Sequence, residues 1–373
     1  MRTARTSRRA RRGNPDYILF FAVMTLMAIG IIMVFSASMV RSVKFYGHPY
    51  YYLITQLVWA ALGIAAMLFL MHFDVWRYRP WIPFITGVGI LLLIIVLIPG
   101  IGQVRNDARR WLGYRQLSFQ PAEVAKVTTL LFLADSMAKR RDKLGSLVKG
   151  LGPYLVFLGL TCGLVLLEPD LGTAIAIAGG AAVVIFVSGV NWLHLLAVGA
   201  ASVPALVWAV FAEEYRRKRF LAFLDPWADP DGAGWQIIQA LYALGTGGPF
   251  GTGIGYARQK WFYLPEPDTD FIFAVLGEEM GFFGTSLVLA LFLVVAWRGF
   301  RTAMAAPDRF SCLLAAGLTS LIVFQAAINI GVVTGSLPIT GIPLPFISRG
   351  GSALVMNFVA IGIVLNISRY ANR

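Results

Sequence analysis

"PWIPFITGVGILLLIIVLIP", residues 80–99, carries no charged side chain from end to end. About 20 apolar residues in a helix cross the roughly 30 Å hydrocarbon core of a bilayer. A helix apolar on every side has no use for water, so this stretch reads as membrane-embedded. Comparable runs recur at about 17–38, 51–71, 119–138, 151–167, 171–189, 192–211, 271–296, 310–334 and 351–369. They are continuous rather than alternating with period two, which favours helices over barrel strands. Composition agrees: 58% of residues are hydrophobic and 14% charged, where a soluble domain is about one quarter charged. The expected fold is an all-α polytopic membrane protein of about ten transmembrane helices, with a basic tail over 1–16 and a single transmembrane domain over 17–373.

The opening "MRTARTSRRARR" suits a cytoplasmic anchor ahead of a first membrane helix better than a nucleic-acid tail. No nucleic-acid partner is therefore expected. The first apolar run has the length of a retained span, and no cleavable signal peptide is read before it. An even number of spans places both termini on one side. With the termini inside, inner segments hold 18 Lys and Arg against 13 in outer segments, or 7 once the long loop is set aside. Both ends are expected in the cytoplasm.

Between spans seven and eight lies a large extracytoplasmic loop, about 212–270. It is loop-like and rich in Gly and Pro: "FLDPWADPDGAG", then "GTGGPFGTGIG", then "YLPEPDTD". Its length marks it as functional or disordered. Its aromatic residues, among them Trp227, Trp235, Trp261 and Tyr263, favour a folded segment on the membrane surface. The glycine run is a weak match to a phosphate loop, lacking a preceding strand and a following Gly-Lys-Ser/Thr. "DPWADPDGAGWQ" fails as a calcium loop because Gln236 stands where a Glu is needed. Cys162 and Cys312 sit in apolar runs and read as small buried hydrophobes, and His48, His72 and His194 show no metal-ligand spacing.

Charges where lipid is expected call for an explanation. Glu123 and Lys126, three residues apart in "QPAEVAKVTTLLFLAD", share a helix face. They form either a structural ion pair or the wall of a polar cavity open to the outside. The preceding "QVRNDARRWLGYRQ" sets Arg105, Arg109, Arg110 and Arg115 on the outer side, suited to anionic headgroups or to a pyrophosphate. In "LEPDLGTA", Asp170 reads as a helix cap. Finally, "YLPEPDTDFIFAVLGEEMG", residues 263–281, gathers Glu266, Asp268, Asp270, Glu278 and Glu279 where the long loop runs into span eight. Asp270 at that boundary is either a helix-terminal charge or a partly desolvated proton acceptor.

The ordered motifs "GIIMVFSAS" (30–38), "NDARRW" (106–111), "QPAEVAK" (120–126), "EPDLGT" (168–173), "DPWADP" (225–230), "YLPEPDTDFIFAVLGEEMG" (263–281) and "NIGVVTGSLPITGIPLPFISRGGS" (329–352) cover nearly the whole chain. Through them it resembles the SEDS family (shape, elongation, division and sporulation), most closely the FtsW and SpoVE branch and less the RodA branch. Asp107, Arg349 and Ala353 depart from the usual Gly, Tyr and Ser. The resemblance implies a peptidoglycan glycosyltransferase that polymerises lipid II, working with a class B penicillin-binding protein and other division or sporulation proteins, at the septum. It places the family's essential aspartate at Asp270, as general base. Arg109, Arg110, Lys126, Arg219 and Lys260 are candidates to meet the leaving pyrophosphate, with Glu123 orienting Lys126 or touching the headgroup. It also admits Mg²⁺ or Mn²⁺, for which the sequence specifies no ligand set. A lipid II flippase and a non-catalytic division scaffold remain open.

Overall fold

A computed structural model describes residues 13–371 except 106–107, 114–117, 141, 143 and 144. Thus most of the basic tail, Asp107 and Arg115 lie outside the described residues. Thirteen α-helices are described: α1 Tyr17–Tyr46, α2 Tyr51–His72, α3 Val75–Tyr78, α4 Ile82–Leu97, α5 Pro121–Lys139, α6 Gly152–Leu167, α7 Leu171–Val187, α8 Trp192–Phe211, α9 Glu214–Leu224, α10 Trp235–Gly247, α11 Ile272–Met304, α12 Arg309–Val333 and α13 Gly351–Ser368. A short antiparallel hairpin, β1 Gln103–Arg105 with β2 Ala108–Trp111, follows α4.

The chain is an all-α polytopic membrane protein. Among the described residues eight helical stretches are long and apolar enough to cross a membrane. Every one of the ten expected runs is helical. The two runs outside the eight are α5, which carries Glu123, Lys126, Asp135 and Lys139, and α7, only 17 residues long. Both are shielded by protein: α5 packs against α4, α7 and α12, and α7 against α12. A helix wrapped by other helices can carry charge that a lipid-facing helix could not.

Side-chain caps fix where several helices begin. Asp16 accepts from Leu19 N (3.1 Å) at the start of α1, and Arg298 of α11 pairs with its other oxygen at 2.6 Å. Asp308 accepts from Ser311 N (3.2 Å) at the start of α12 and from Trp76 Nε1 (2.8 Å). Asp170 caps α7 through Thr173 N (3.0 Å), as the sequence suggested. Each cap satisfies amide groups that the helix leaves unpaired.

The 212–270 segment holds more regular structure than its Gly and Pro content implies. It contains α9, a 3-10 turn at Pro226–Ala228 and α10. In α10 the residues Ile237, Ile238, Ala240 and Ala243 are buried, and the helix packs along α11. Tertiary burial outweighs the flanking glycines here.

The glycine run after α10 repairs a break in α11. At Gly281 the backbone leaves the helix (φ 65°, ψ −162°), stranding amide and carbonyl groups that lipid could not satisfy. The loop supplies partners. Phe282 N donates to Gly248 O (2.8 Å) and Phe283 N to Pro249 O (3.1 Å), while Thr252 N and Gly253 N donate to Glu278 O (2.9 Å) and Glu279 O (3.1 Å). Backbone meets backbone so closely that a Cβ on Gly281 would lie 2.3 Å from Gly251 N. Gly281→Ala combines a left-handed φ with a clash that no side chain can relieve. It is expected to lower stability by about 2–4 kcal/mol, read as earlier thermal unfolding in detergent.

Candidate active site

Asp270 stands in the turn just before α11, half-buried. The segment below it is sealed: Phe271, Ile272, Phe273 and Ala274 are each at most 2% exposed. Three consecutive carbonyls leading to the carboxylate are held from other parts of the chain. Asp268 O accepts from Arg349 N (2.9 Å), Thr269 O from Ser348 Oγ (2.6 Å) and Asp270 O from Asn329 Nδ2 (2.7 Å). Gly341 faces the carboxylate, and a Cβ there would lie 3.6 Å from Asp270 Oδ2.

Removal from water pushes the Asp270 carboxyl up to about 7. Repulsion from Glu266 adds to the shift, Arg219 opposes it, and Asp170 and Asp268 raise it further. Those causes identify the charged neighbours. Arg219 arrives from α9, its guanidinium also 4.9 Å from the Tyr215 ring. Asp268 is fully buried between two arginines, Arg41 Nη1 at 3.1 Å and Arg349 Nε. Arg41 also pairs with Glu266 at 3.3 Å. Arg349, which departs from the family's usual Tyr, lies over the Tyr52 ring at 4.3 Å as well. Its charge is thus engaged by Asp268 rather than added freely to the surface.

On the α6–α7 side, Arg110 Nε donates to Glu168 O (2.7 Å) and a second nitrogen to Pro169 O, with Nη1 3.8 Å from Asp170 Oδ2. Gln120 Nε2 donates to the same Asp170 oxygen (3.0 Å). Burial pushes the Glu168 carboxyl up to about 9, with Asp170 reinforcing and Arg110 opposing.

The expected cations do not converge. Arg219 is the one whose charge opposes the rise of the Asp270 pKa, and Arg110 reaches Asp170. Arg109 donates to Leu97 O (3.0 Å), tying the hairpin to the end of α4. Lys126 lies 2.7 Å from Glu123 and donates to Gln325 Oε1 (3.1 Å), with both members of the pair 2% exposed. Of the two readings of Glu123 and Lys126, the geometry is that of a closed ion pair, not the wall of an open cavity. Lys260 is 1% exposed and bound by Glu279 Oε1 (3.1 Å) and Ser36 Oγ (3.2 Å). It is enclosed by protein and not presented to a ligand.

Glu278 and Glu279, which lie within span eight, both face protein. Glu278 accepts from Arg258 N (2.7 Å) and Gln259 N (3.3 Å), and Glu279 from Ala257 N (3.3 Å) and Ser36 Oγ (2.6 Å). Among the described residues no three His, Cys, Asp or Glu side chains are placed to hold a metal ion. Asn329, Ser348 and Gly341, all inside the 329–352 motif, are the site residues that the sequence reading passed over. Asn329 had a signal of its own, as one of two amides, with Gln325, deep in an apolar run.

The family model described as cell cycle protein, FtsW/RodA/SpoVE, matches residues 16–373. Stage V sporulation protein E of Bacillus subtilis (strain 168) is 44% identical, over 97% of this chain and 99% of that protein. The probable peptidoglycan glycosyltransferase FtsW of Geobacter sp. (strain M18) is 42% identical, over 95% and 96%. A chain of the solved structure described as "Structural coordination of polymerization and crosslinking by a peptidoglycan synthase complex" superposes with a TM-score of 0.78 at 33% identity, covering 95% of this chain and 98% of that one. The rod shape determining protein RodA of Thermus thermophilus gives 0.71 at 29% identity, over 96% and 98%. Matched along nearly its whole length by family, relatives and fold alike, the chain belongs to the FtsW/RodA/SpoVE family of cell cycle proteins.

Proposed function

We propose that this membrane protein is a peptidoglycan glycosyltransferase that polymerises lipid II at the outer face of the cytoplasmic membrane, with Asp270 as general base. One observation carries the chemistry: a half-buried carboxylate, its backbone held at three successive carbonyls, facing Gly341. Asp270 takes the proton of the acceptor GlcNAc 4-hydroxyl. That oxygen forms a bond to the anomeric carbon of the donor MurNAc as the bond to pyrophosphate breaks, and the electron pair leaves with undecaprenyl pyrophosphate. An α-linked donor becomes a β-linked product in one displacement, so a single base suffices. Arg219 is the cation best placed to meet developing negative charge near Asp270.

The family relationship and the named relatives support action with a class B penicillin-binding protein in division or sporulation, at the septum. The distribution of Lys and Arg supports ten spans with both termini cytoplasmic. The decisive experiment combines the purified protein, its cognate penicillin-binding protein and labelled lipid II in liposomes. Glycan strands are expected. Translocation without polymer would make the protein a flippase, and neither activity would leave a scaffold.

The raised Asp270 pKa sets the pH dependence. A base must be deprotonated to act, so the polymerisation rate is expected to rise with pH through about 7 and level off above it. Arg219→Gln removes the opposing positive charge, moving that rise to higher pH. Rates measured between roughly pH 5.5 and 8.5 check both; a rise unmoved by Arg219→Gln would detach that arginine from the base.

A further inference from the structure

Asn329 lies near the end of α12, 2% exposed, and both of its amide hydrogens are used. Nδ2 donates to Asp270 O at 2.7 Å and to Ile342 O at 2.8 Å. Both partners are carbonyl oxygens, so only the NH₂ end of the side chain can serve, and the orientation follows from chemistry. Asn329 therefore bridges two segments far apart in sequence: the turn carrying the candidate base and the segment at Gly341 and Ile342. Those are the two walls of the site, since the Gly341 position faces Asp270 Oδ2. Neither wall is a regular helix, so nothing in their own secondary structure fixes their spacing. The side chain spans the gap with two short hydrogen bonds.

We infer that Asn329 is a positioning residue of the reaction: it holds the Asp270 turn against the 341–342 segment so that the carboxylate meets the acceptor hydroxyl at bonding distance. The inference rests on the general-base reading of Asp270. Its physical content is that displacement of a reacting group by about 1 Å can cost roughly 10²-fold in rate.

Asn329→Asp conserves size and shape but replaces two donors with an acceptor facing two carbonyls. A residue that merely fills space responds to that exchange in stability alone, whereas one that holds the gap by donation responds in kcat as well. Polymerisation of lipid II by the membrane complex is measured for Asn329→Asp and Asn329→Ala, together with thermal unfolding and co-purification of the penicillin-binding protein. The expected result, per folded complex, is a kcat lower by about 10²-fold, a KM for lipid II within about twofold of wild type and partner binding unchanged, with earlier unfolding because two buried carbonyls lose their donor. A kcat for Asn329→Asp within about threefold of wild type would overturn the inference, as would a loss confined to KM. If Asn329→Asp fails to insert, Asn329→Ala is judged on the same terms. Failure of both to fold would make the role structural and overturn the inference too. Asp270→Asn is assayed in parallel. Polymer from that variant removes the general base itself, whereas an inactive Asp270→Asn beside a fully active Asn329→Asp removes only the positioning role.

Discussion

Asp270→Asn is expected to abolish polymerisation of lipid II while leaving insertion and partner binding intact. General-base catalysis contributes about 10²–10⁴-fold, and an amide of the same shape cannot accept the proton. The fold should not object. The hydrogen bonds that hold this turn run to the carbonyls of Asp268, Thr269 and Asp270, not to the Asp270 carboxylate. Neutralising a carboxylate repelled by Glu266, Asp170 and Asp268 also relieves strain between like charges. A variant that stays folded and binds its partner yet makes no glycan is therefore the signature sought. Glycan synthesis at the wild-type rate would shift the base elsewhere, with Asp170 and Glu266, whose charges act on Asp270, the next candidates.

Lys260→Met is expected to damage folding rather than substrate affinity. Both side chains of the Lys260–Glu279 pair are fully buried. Removing one partner of such a pair costs about 3–5 kcal/mol, because the other charge is left uncompensated. The network reaches further than the pair, since Ser36 of α1 donates to Glu279 and receives from Lys260. Loss of the lysine loosens α1, the loop and α11 together. The double variant Lys260→Met with Glu279→Gln should recover much of the stability, because neither member of the pair is left as an uncompensated charge. Thermal unfolding of the singles and the double measures the coupling, and the KM of whatever folds should match wild type. A large KM increase with unchanged unfolding would return Lys260 to the ligand site.

Local patterns carried most of the fold. Eight of the ten runs are long and apolar enough to be read as spans without neighbours, and all ten are helical. The Glu123–Lys126 pair was legible too, because i,i+3 spacing on a helix is a local fact. Its surroundings were not: only the approach of α12 with Gln325 shows that the pair is closed off. Lys260 misled for the same reason. Its sequence neighbours are those of a solvated loop, and nothing local reveals that Ser36 and Glu279 converge on it from 224 and 19 residues away. The glycine run concealed α10 just before it, and its own purpose, close backbone approach to the α11 break, is a tertiary property. Asp270 was legible through its motif, whereas the donors behind it come from segments about 59 and 79 residues away.

The break at Gly281 also sets a height. From Phe282 to Trp297, the last residue before Arg298, the helix runs about 24 Å at 1.5 Å per residue, short of the roughly 30 Å hydrocarbon layer. The turn of α11 ahead of the break, with Glu278 and Glu279, supplies the remaining depth of about 6 Å, and the rest of Ile272–Met280 rises above the acyl chains. That length of helix puts Asp270, just ahead of α11, nearer to phosphates and sugars than to tails. An isoprenoid-anchored donor could keep its chain dissolved in the leaflet and still present its first sugar to the carboxylate, so elongation would not require the lipid to be lifted out of the membrane.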